Sequence, residues 1–110
     1  HKAAYVAAKH GLIGLTKVVA LECAERGITC NAICPGWVRT PLVEKQISDR
    51  AKAGSLSQEE ACRELLAEKE PSGRFTEVKD LGAMAAFLAS DAAANMTGTE
   101  ITMDGGWTAQ

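Results

Sequence analysis

The sequence predicts an α/β fold, specifically part of an open parallel sheet covered by helices. Three observations predict it. Helical and extended patterns alternate along the chain. The run Ile28–Cys34 is short and almost wholly apolar, as a strand covered on both faces must be. A second short strand, Glu100–Met103, follows only after a long helical stretch, as a parallel crossover requires.

The first element is expected to be a helix from about Lys2 to Arg26, rich in alanine and free of proline. Its apolar residues, among them Val6, Leu12, Leu15, Val18 and Leu21, surround nearly the whole circumference. That pattern predicts burial on several sides. Gly11 and Gly14 cost helix propensity and suggest close approach of another element. Gly27 stands where a left-handed C-terminal cap belongs.

Pro35 to Pro41 then reads as a loop at the carboxyl end of the Ile28–Cys34 strand. Thr40-Pro41 is a helix start, with threonine as N-cap and proline at the first helical position. The helix continues through Gln46 to Ala53 and breaks at Gly54-Ser55. Ser57-Gln58-Glu59-Glu60 has the form of a capping box and opens a second helix to about Lys69. Pro71-Ser72-Gly73 is a turn, and Thr76 is expected to cap a helix over about 77–89. Asp91–Gly98 is loop, and Asp104-Gly105-Gly106 ends the last strand. Residues 1–110 therefore read as one portion of a single domain, with a helical excursion at about 41–70.

Composition excludes several function classes. The 110 residues carry 12 Lys and Arg against 14 Asp and Glu, for a net charge of −2. No basic stripe suggests nucleic acid, and no basic amphipathic face suggests a membrane surface. No apolar stretch is expected to be long enough to span a bilayer. The four cysteines, Cys23, Cys30, Cys34 and Cys62, lack zinc-site spacing. They read as buried free thiols, which fits a reducing, cytoplasmic compartment. The chain starts with His1 rather than Met, and a truncated sequence with its true N-terminus upstream is the simplest expectation.

Tyr5-Val6-Ala7-Ala8-Lys9 places a phenol and an ammonium one helical turn apart on one face. A free phenol ionises near pH ~10 and is a poor base at neutrality, but a nearby cation favours the phenolate. Such a pair can take a proton from an alcohol or return one to a carbonyl. Alone, the spacing is weak and also fits a surface tyrosine packed on a lysine stem. Lys2 lies on the same side, where it could meet an anionic substrate.

The order Tyr5-x-x-x-Lys9, Gly11, Asn31-Ala32-Ile33-Cys34-Pro35-Gly36-Trp37-Val38-Arg39-Thr40-Pro41 and Asp104-Gly105-Gly106 resembles the short-chain dehydrogenases/reductases over essentially the whole chain. The resemblance implies the C-terminal part of a doubly wound, parallel-sheet Rossmann fold. It implies Tyr5 as acid/base and Lys9 as its helper and a ligand of the nicotinamide ribose. Pro35, Gly36, Val38 and Thr40, with Tyr5 and Lys9, would line the cofactor. Gly36 would let backbone approach a ligand closely. Thr40 is equally a plain N-cap.

A closer resemblance is to the 3-hydroxybutyrate dehydrogenase branch. It rests on His1-Lys2-Ala3-Ala4-Tyr5, on Thr40-Pro41-Leu42-Val43-Glu44-Lys45-Gln46, and on Asp104-Gly105-Gly106-Trp107-Thr108-Ala109-Gln110. It implies that Lys2 and Gln46 hold a substrate carboxylate while Trp37 and Trp107 wall the pocket. The implied reaction interconverts (R)-3-hydroxybutyrate and acetoacetate with NAD, in a homotetramer. The alternatives are a 3-oxoacyl-(acyl-carrier-protein) reductase or another short-chain dehydrogenase, and a non-catalytic piece that only packs or oligomerises. The glycine-rich phosphate loop, the residue choosing NAD over NADP and the catalytic serine are expected upstream of His1. No metal site is expected. His10 reads as structural or exposed, Asn31 as satisfying buried backbone, and Asp104 as bracing the final turn.

Overall fold

A computed structural model describes residues 2–109. Four α-helices and two strands follow in the order α1 (Ala3–Cys23), β1 (Ala32–Pro35), α2 (Pro41–Gly54), α3 (Gln58–Ala67), α4 (Val78–Leu88) and β2 (Glu100–Met103). Short 3₁₀ turns occupy Ala24–Arg26, Asp91–Ala93 and Trp107–Ala109. The strands are neighbours in a two-stranded sheet, and the bonds from Ala32 N to Thr99 O and from Gly36 N to Met103 O follow the parallel pattern. Helices joined to parallel strands make this a partial α/β Rossmann fold, as the sequence predicts. The chain divides into two compact units, His1–Cys34 with Ala83–Ile101, and Pro35–Gly82 with Thr102–Gln110.

In the first unit α1 has only two buried residues, Thr16 and Ala20. Thr16 satisfies its hydroxyl by donating to Leu12 O at 2.9 Å, one turn back. Gly98, at φ +70°, brings its backbone against the Ala20 methyl group. Lys17 pairs with Glu100 at 2.8 Å. Asn31 does what its position suggests, donating to Met96 O at 2.7 Å and accepting from Thr99 N at 3.2 Å. Gly27 is left-handed at φ 69°, and its N–H closes on Ala24 O.

Several expectations for this unit fail. The apolar circumference of α1 is not buried: Val6, Leu12, Leu15, Val18 and Leu21 are exposed, Leu21 to 80%. No atom of the described residues comes within 4 Å of a Cβ added at Gly11 or Gly14. Helical periodicity reports how much cover a helix needs, and the described residues do not supply it. By length and composition Ala3–Arg26, at 24 residues and a hydropathy of 1.2, is also apolar enough to cross a membrane. That corrects the sequence expectation; alanine, valine and leucine raise the mean although polar residues interrupt the run. The strand is shorter than expected: β1 is Ala32–Pro35, while ahead of it Cys30 O accepts from Gly98 N at 2.7 Å and Cys30 N donates to the Thr97 hydroxyl at 3.1 Å. The four cysteines are free but half-buried rather than buried.

In the second unit α2 and α3 pack through Val43, Ile47, Ala51, Ala61 and Leu65, with Trp37, Leu56, Cys62 and Phe75 against them. The apolar positions fall at helical spacing on each partner, so the two amphipathic helices bury each other. Thr40 caps α2 by accepting from Val43 N at 3.4 Å, and Pro41 begins it. Ser57 and Glu60 form the predicted capping box. Ser55, left-handed at φ 51°, ends α2. Thr76 stands two residues before α4. It bridges to Val38, and its hydroxyl donates to Met103 O at 2.9 Å. That bond uses the hydroxyl hydrogen and leaves the oxygen free to accept.

Candidate functional site

Tyr5 and Lys9 are brought together as the i, i+4 spacing requires. The Lys9 ammonium lies over the Tyr5 ring, 5.5 Å from its centroid. Tyr5 is 63% exposed, so its phenol is open to a reactant. Lys2 is the residue before α1, exposed, with no side-chain capping bond. It therefore stands one turn before Tyr5 without a capping role. His10 turns its Nδ1 to Val6 O at 2.9 Å and is exposed, a structural arrangement. Burial pushes the Cys34 thiol up, with the Glu100 carboxylate adding to it. Both influences disfavour the thiolate, the reactive form.

The remaining predicted residues belong to the second unit. Pro35 and Gly36 are exposed at the end of β1, and Trp37 and Val38 are half-buried. This loop is held at many points. Gly36 N donates to Met103 O at 3.0 Å, Thr76 N to Trp37 O at 2.9 Å, and Arg39 N to Thr76 O at 3.0 Å. Arg39 Nε reaches Glu44 Oε1 at 2.6 Å, and its guanidinium lies 5.8 Å from the Phe75 ring centroid. That Glu44 hydrogen bond holds the Arg39 guanidinium above its ordinary range. Gln46 is exposed on α2. Trp107 opens the last 3₁₀ turn, 42% exposed. His1 and Gln110, which belong to the motifs above, lie outside the described residues.

One buried residue beside the Gly36–Trp37 peptide escapes sequence reasoning. Glu70 is only 3% exposed. Its Oε1 accepts from the N–H of Trp37. A Cβ added at Gly36 would strike that same oxygen and would stand 3.0 Å from the Asp104 Cα. A Cβ at Gly105 would strike Oε2 and the Ser72 hydroxyl. Gly36 is therefore required first by Glu70, within the chain, and not only by a ligand. No pattern in Glu68-Lys69-Glu70 signals burial, because a charged triplet before a turn normally reads as solvated helix end.

Asp104 braces the terminal turn as expected. Its Oδ1 accepts from Gly106 N at 3.0 Å, and Oδ2 accepts from Thr108 N at 2.8 Å and the Thr108 hydroxyl at 2.7 Å. The Thr108 hydroxyl above all holds its carboxyl below the usual carboxylate range, and the Thr108 and Gly106 amides act the same way. Among the described residues no three His, Cys, Asp or Glu side chains converge as a metal site would need.

A family profile described as enoyl-(acyl carrier protein) reductase matches residues 1–108. The chain belongs to the short-chain dehydrogenase/reductase family. Among members of this family, the D-beta-hydroxybutyrate dehydrogenases of Cupriavidus necator and Rhizobium meliloti are 58% and 54% identical over 109 residues, which is 99% of this chain. Each match spans 42% of the relative's own length. A short-chain dehydrogenase family structure from Francisella tularensis superposes with a TM-score of 0.86 at 35% identity, covering 98% of this chain and 44% of that one. A 4-hydroxyisoleucine dehydrogenase complexed with NADH gives 0.81 at 36% identity, covering 98% and 40%.

Each unit, taken by itself, carries groups whose chemistry suits part of a nicotinamide nucleotide. A phenol and an ammonium share one exposed helix face. A loop with exposed Pro35 and Gly36 leads into the N-terminus of α2, where a helix end favours negative charge.

Proposed function

We propose that the whole protein is an NAD-dependent dehydrogenase interconverting (R)-3-hydroxybutyrate and acetoacetate. The observation that carries the substrate is the 58% identity to a D-beta-hydroxybutyrate dehydrogenase across 99% of this chain. The observation that supports the chemistry is the exposed Tyr5 phenol beside Lys9.

In this reading Tyr5 accepts the hydroxyl proton of the alcohol as its carbon–hydrogen bond breaks, and it returns a proton to the carbonyl in reverse. Lys9 favours the charged phenol during that transfer and donates to the nicotinamide ribose. Bound NAD supplies the two-electron hydride acceptor. Pro35, Gly36, Val38 and Thr40 line its nicotinamide end, with backbone and apolar surface rather than charge. Lys2 and Gln46 hold the substrate carboxylate, a cation and an amide donor for a small anion. Trp37 and Trp107 exclude water around it.

The 110 residues contain no glycine-rich phosphate loop. By themselves they bind NAD negligibly in this proposal, and calorimetric titration of the isolated piece at micromolar NAD checks that. The whole protein is a cytoplasmic homotetramer. The free cysteines fit a reducing compartment, and the exposed apolar residues of α1 supply surface for further packing.

A second reading is a 3-oxoacyl-(acyl-carrier-protein) reductase, which shares a carrier-bound substrate with the family profile's description. The whole enzyme assayed with NAD and (R)-3-hydroxybutyrate decides between them. Turnover that weakens mainly in KM for the hydroxy acid when Lys2→Ala or Gln46→Ala is introduced supports the hydroxybutyrate reading. No turnover, with good turnover of a 3-oxoacyl carrier substrate, rejects it.

A further inference from the structure

We propose that Glu70 is a positioning residue for the cofactor-lining loop, acting through the backbone of Gly36 and Trp37. The inference rests on the reading that Pro35–Thr40 lines the nicotinamide.

Burial of a carboxylate is costly unless its oxygens are bonded. Glu70 is 3% exposed, yet the structure gives it one backbone donor, Trp37 N–H, through Oε1. Oε2 is buried with no partner among the described residues. An apolar side chain would fill this space at lower cost, so filling space does not account for a carboxylate here. What the carboxylate alone provides is an acceptor aimed at one peptide, the Gly36–Trp37 unit that opens the loop.

The surroundings fit that role. Glu70 lies against both Gly36 and Gly105, at the ends of the two strands. Its own segment is anchored on either side. Glu70 N donates to Leu66 O at 2.7 Å, Gly73 N to Glu70 O at 2.8 Å, and Ser72 N to Gly105 O at 2.9 Å. A carboxylate on a fixed backbone, meeting two glycines that leave it room, sets the height and tilt of the Trp37 amide. The same peptide precedes Val38 and Thr40, so a change at Glu70 is transmitted to the loop residues assigned to the cofactor.

The test uses the whole enzyme with Glu70→Gln and Glu70→Met. Both side chains approximate the volume of glutamate, but only glutamine retains a carbonyl oxygen to accept from Trp37. Losing a charge-assisted hydrogen bond of this kind predicts about 10-fold weaker NADH binding for Glu70→Met. NADH fluorescence titration should show that loss, with cofactor KM rising in proportion. Because the same peptide carries the Trp37 pocket wall, the hydroxy-acid KM should rise along with it in Glu70→Met, whereas Glu70→Gln should bind NADH within about three-fold of wild type.

Unchanged NADH binding in Glu70→Met overturns the proposal. So does loss of the folded state in Glu70→Met while Glu70→Gln folds, which makes Glu70 a brace of the fold alone. A wild-type enzyme that binds NADH but leaves 3-hydroxybutyrate unreacted defeats the substrate assignment; the titrations still decide the role of Glu70.

Discussion

The Lys9 ammonium stands 5.5 Å from the centre of the Tyr5 ring, one helical turn away on α1. At an exposed position such a contact contributes about 0.5–1 kcal/mol. In the proposed reaction its importance lies less in stability than in placing a positive charge beside the phenol that would transfer the proton. Tyr5→Phe keeps the ring and the contact with Lys9 but removes the proton-transfer group. It should lower kcat of the whole enzyme by about 10²–10⁴-fold, while NADH affinity, read by fluorescence titration, changes little. Retained kcat would remove Tyr5 from the reaction.

Gly36→Ala should be poorly tolerated. The added methyl meets the Glu70 carboxylate and approaches the Asp104 Cα to 3.0 Å. Overpacking of this kind costs about 1–3 kcal/mol, readable as a lower midpoint in urea. The cost should shrink when Gly36→Ala is made in a Glu70→Ala background, because contacting residues couple. Additive costs would show that the backbone of Asp104, not Glu70, is the obstacle.

Asp104 should make stability depend on pH in the acid range. Its carboxyl ionises below the usual range because the Thr108 hydroxyl and then the Thr108 and Gly106 amides bond the charged form. A group with a depressed folded value stabilises fully above its unfolded value. That contribution disappears as pH falls through the folded value. Wild type should therefore melt higher than Asp104→Asn at neutral pH, and the gap should close as pH drops below about 4. Thermal melts from pH 7 to pH 3 check this; a constant gap would mean the charge is not the cause.

Ser57→Ala should weaken the α2–α3 pair without touching chemistry. Ser57 Oγ accepts from Glu60 N at 3.2 Å, and Glu60 Oε2 accepts from Ser57 N at 2.8 Å. The Ser57 hydroxyl first, and then its amide, hold the Glu60 carboxyl below its ordinary range. Loss of an N-cap of this type costs about 1 kcal/mol. Denaturant midpoints should fall while kcat stays within about two-fold, since Ser57 reaches no residue assigned to the reaction.

Local patterns were legible where the governing forces are local. Thr40-Pro41 and Ser57-x-x-Glu60 announce helix starts because the capping bonds lie within four residues. Gly27 announces its left-handed turn because only backbone sterics decide it. Tyr5 and Lys9 meet because one helical turn joins them. The Thr76 bond to Met103 O is not legible in the sequence, because its partner is 27 residues away. The expected burial of α1 failed because periodicity encodes a demand for cover, not its source.

The sequence by itself determined the α/β class, the helix starts, the Tyr5–Lys9 face and the bracing role of Asp104. Each depends on spacing within a turn or on a residue's intrinsic backbone preference. Only tertiary structure decided that Glu70 is buried, that it grips the Trp37 amide, and that Gly36 and Gly105 are glycines partly to make room for it. Glu70 lies 33 residues from Trp37 in the chain. A contact across that separation leaves no periodic trace, because it arises only when the two strand ends and the segment after α3 come together.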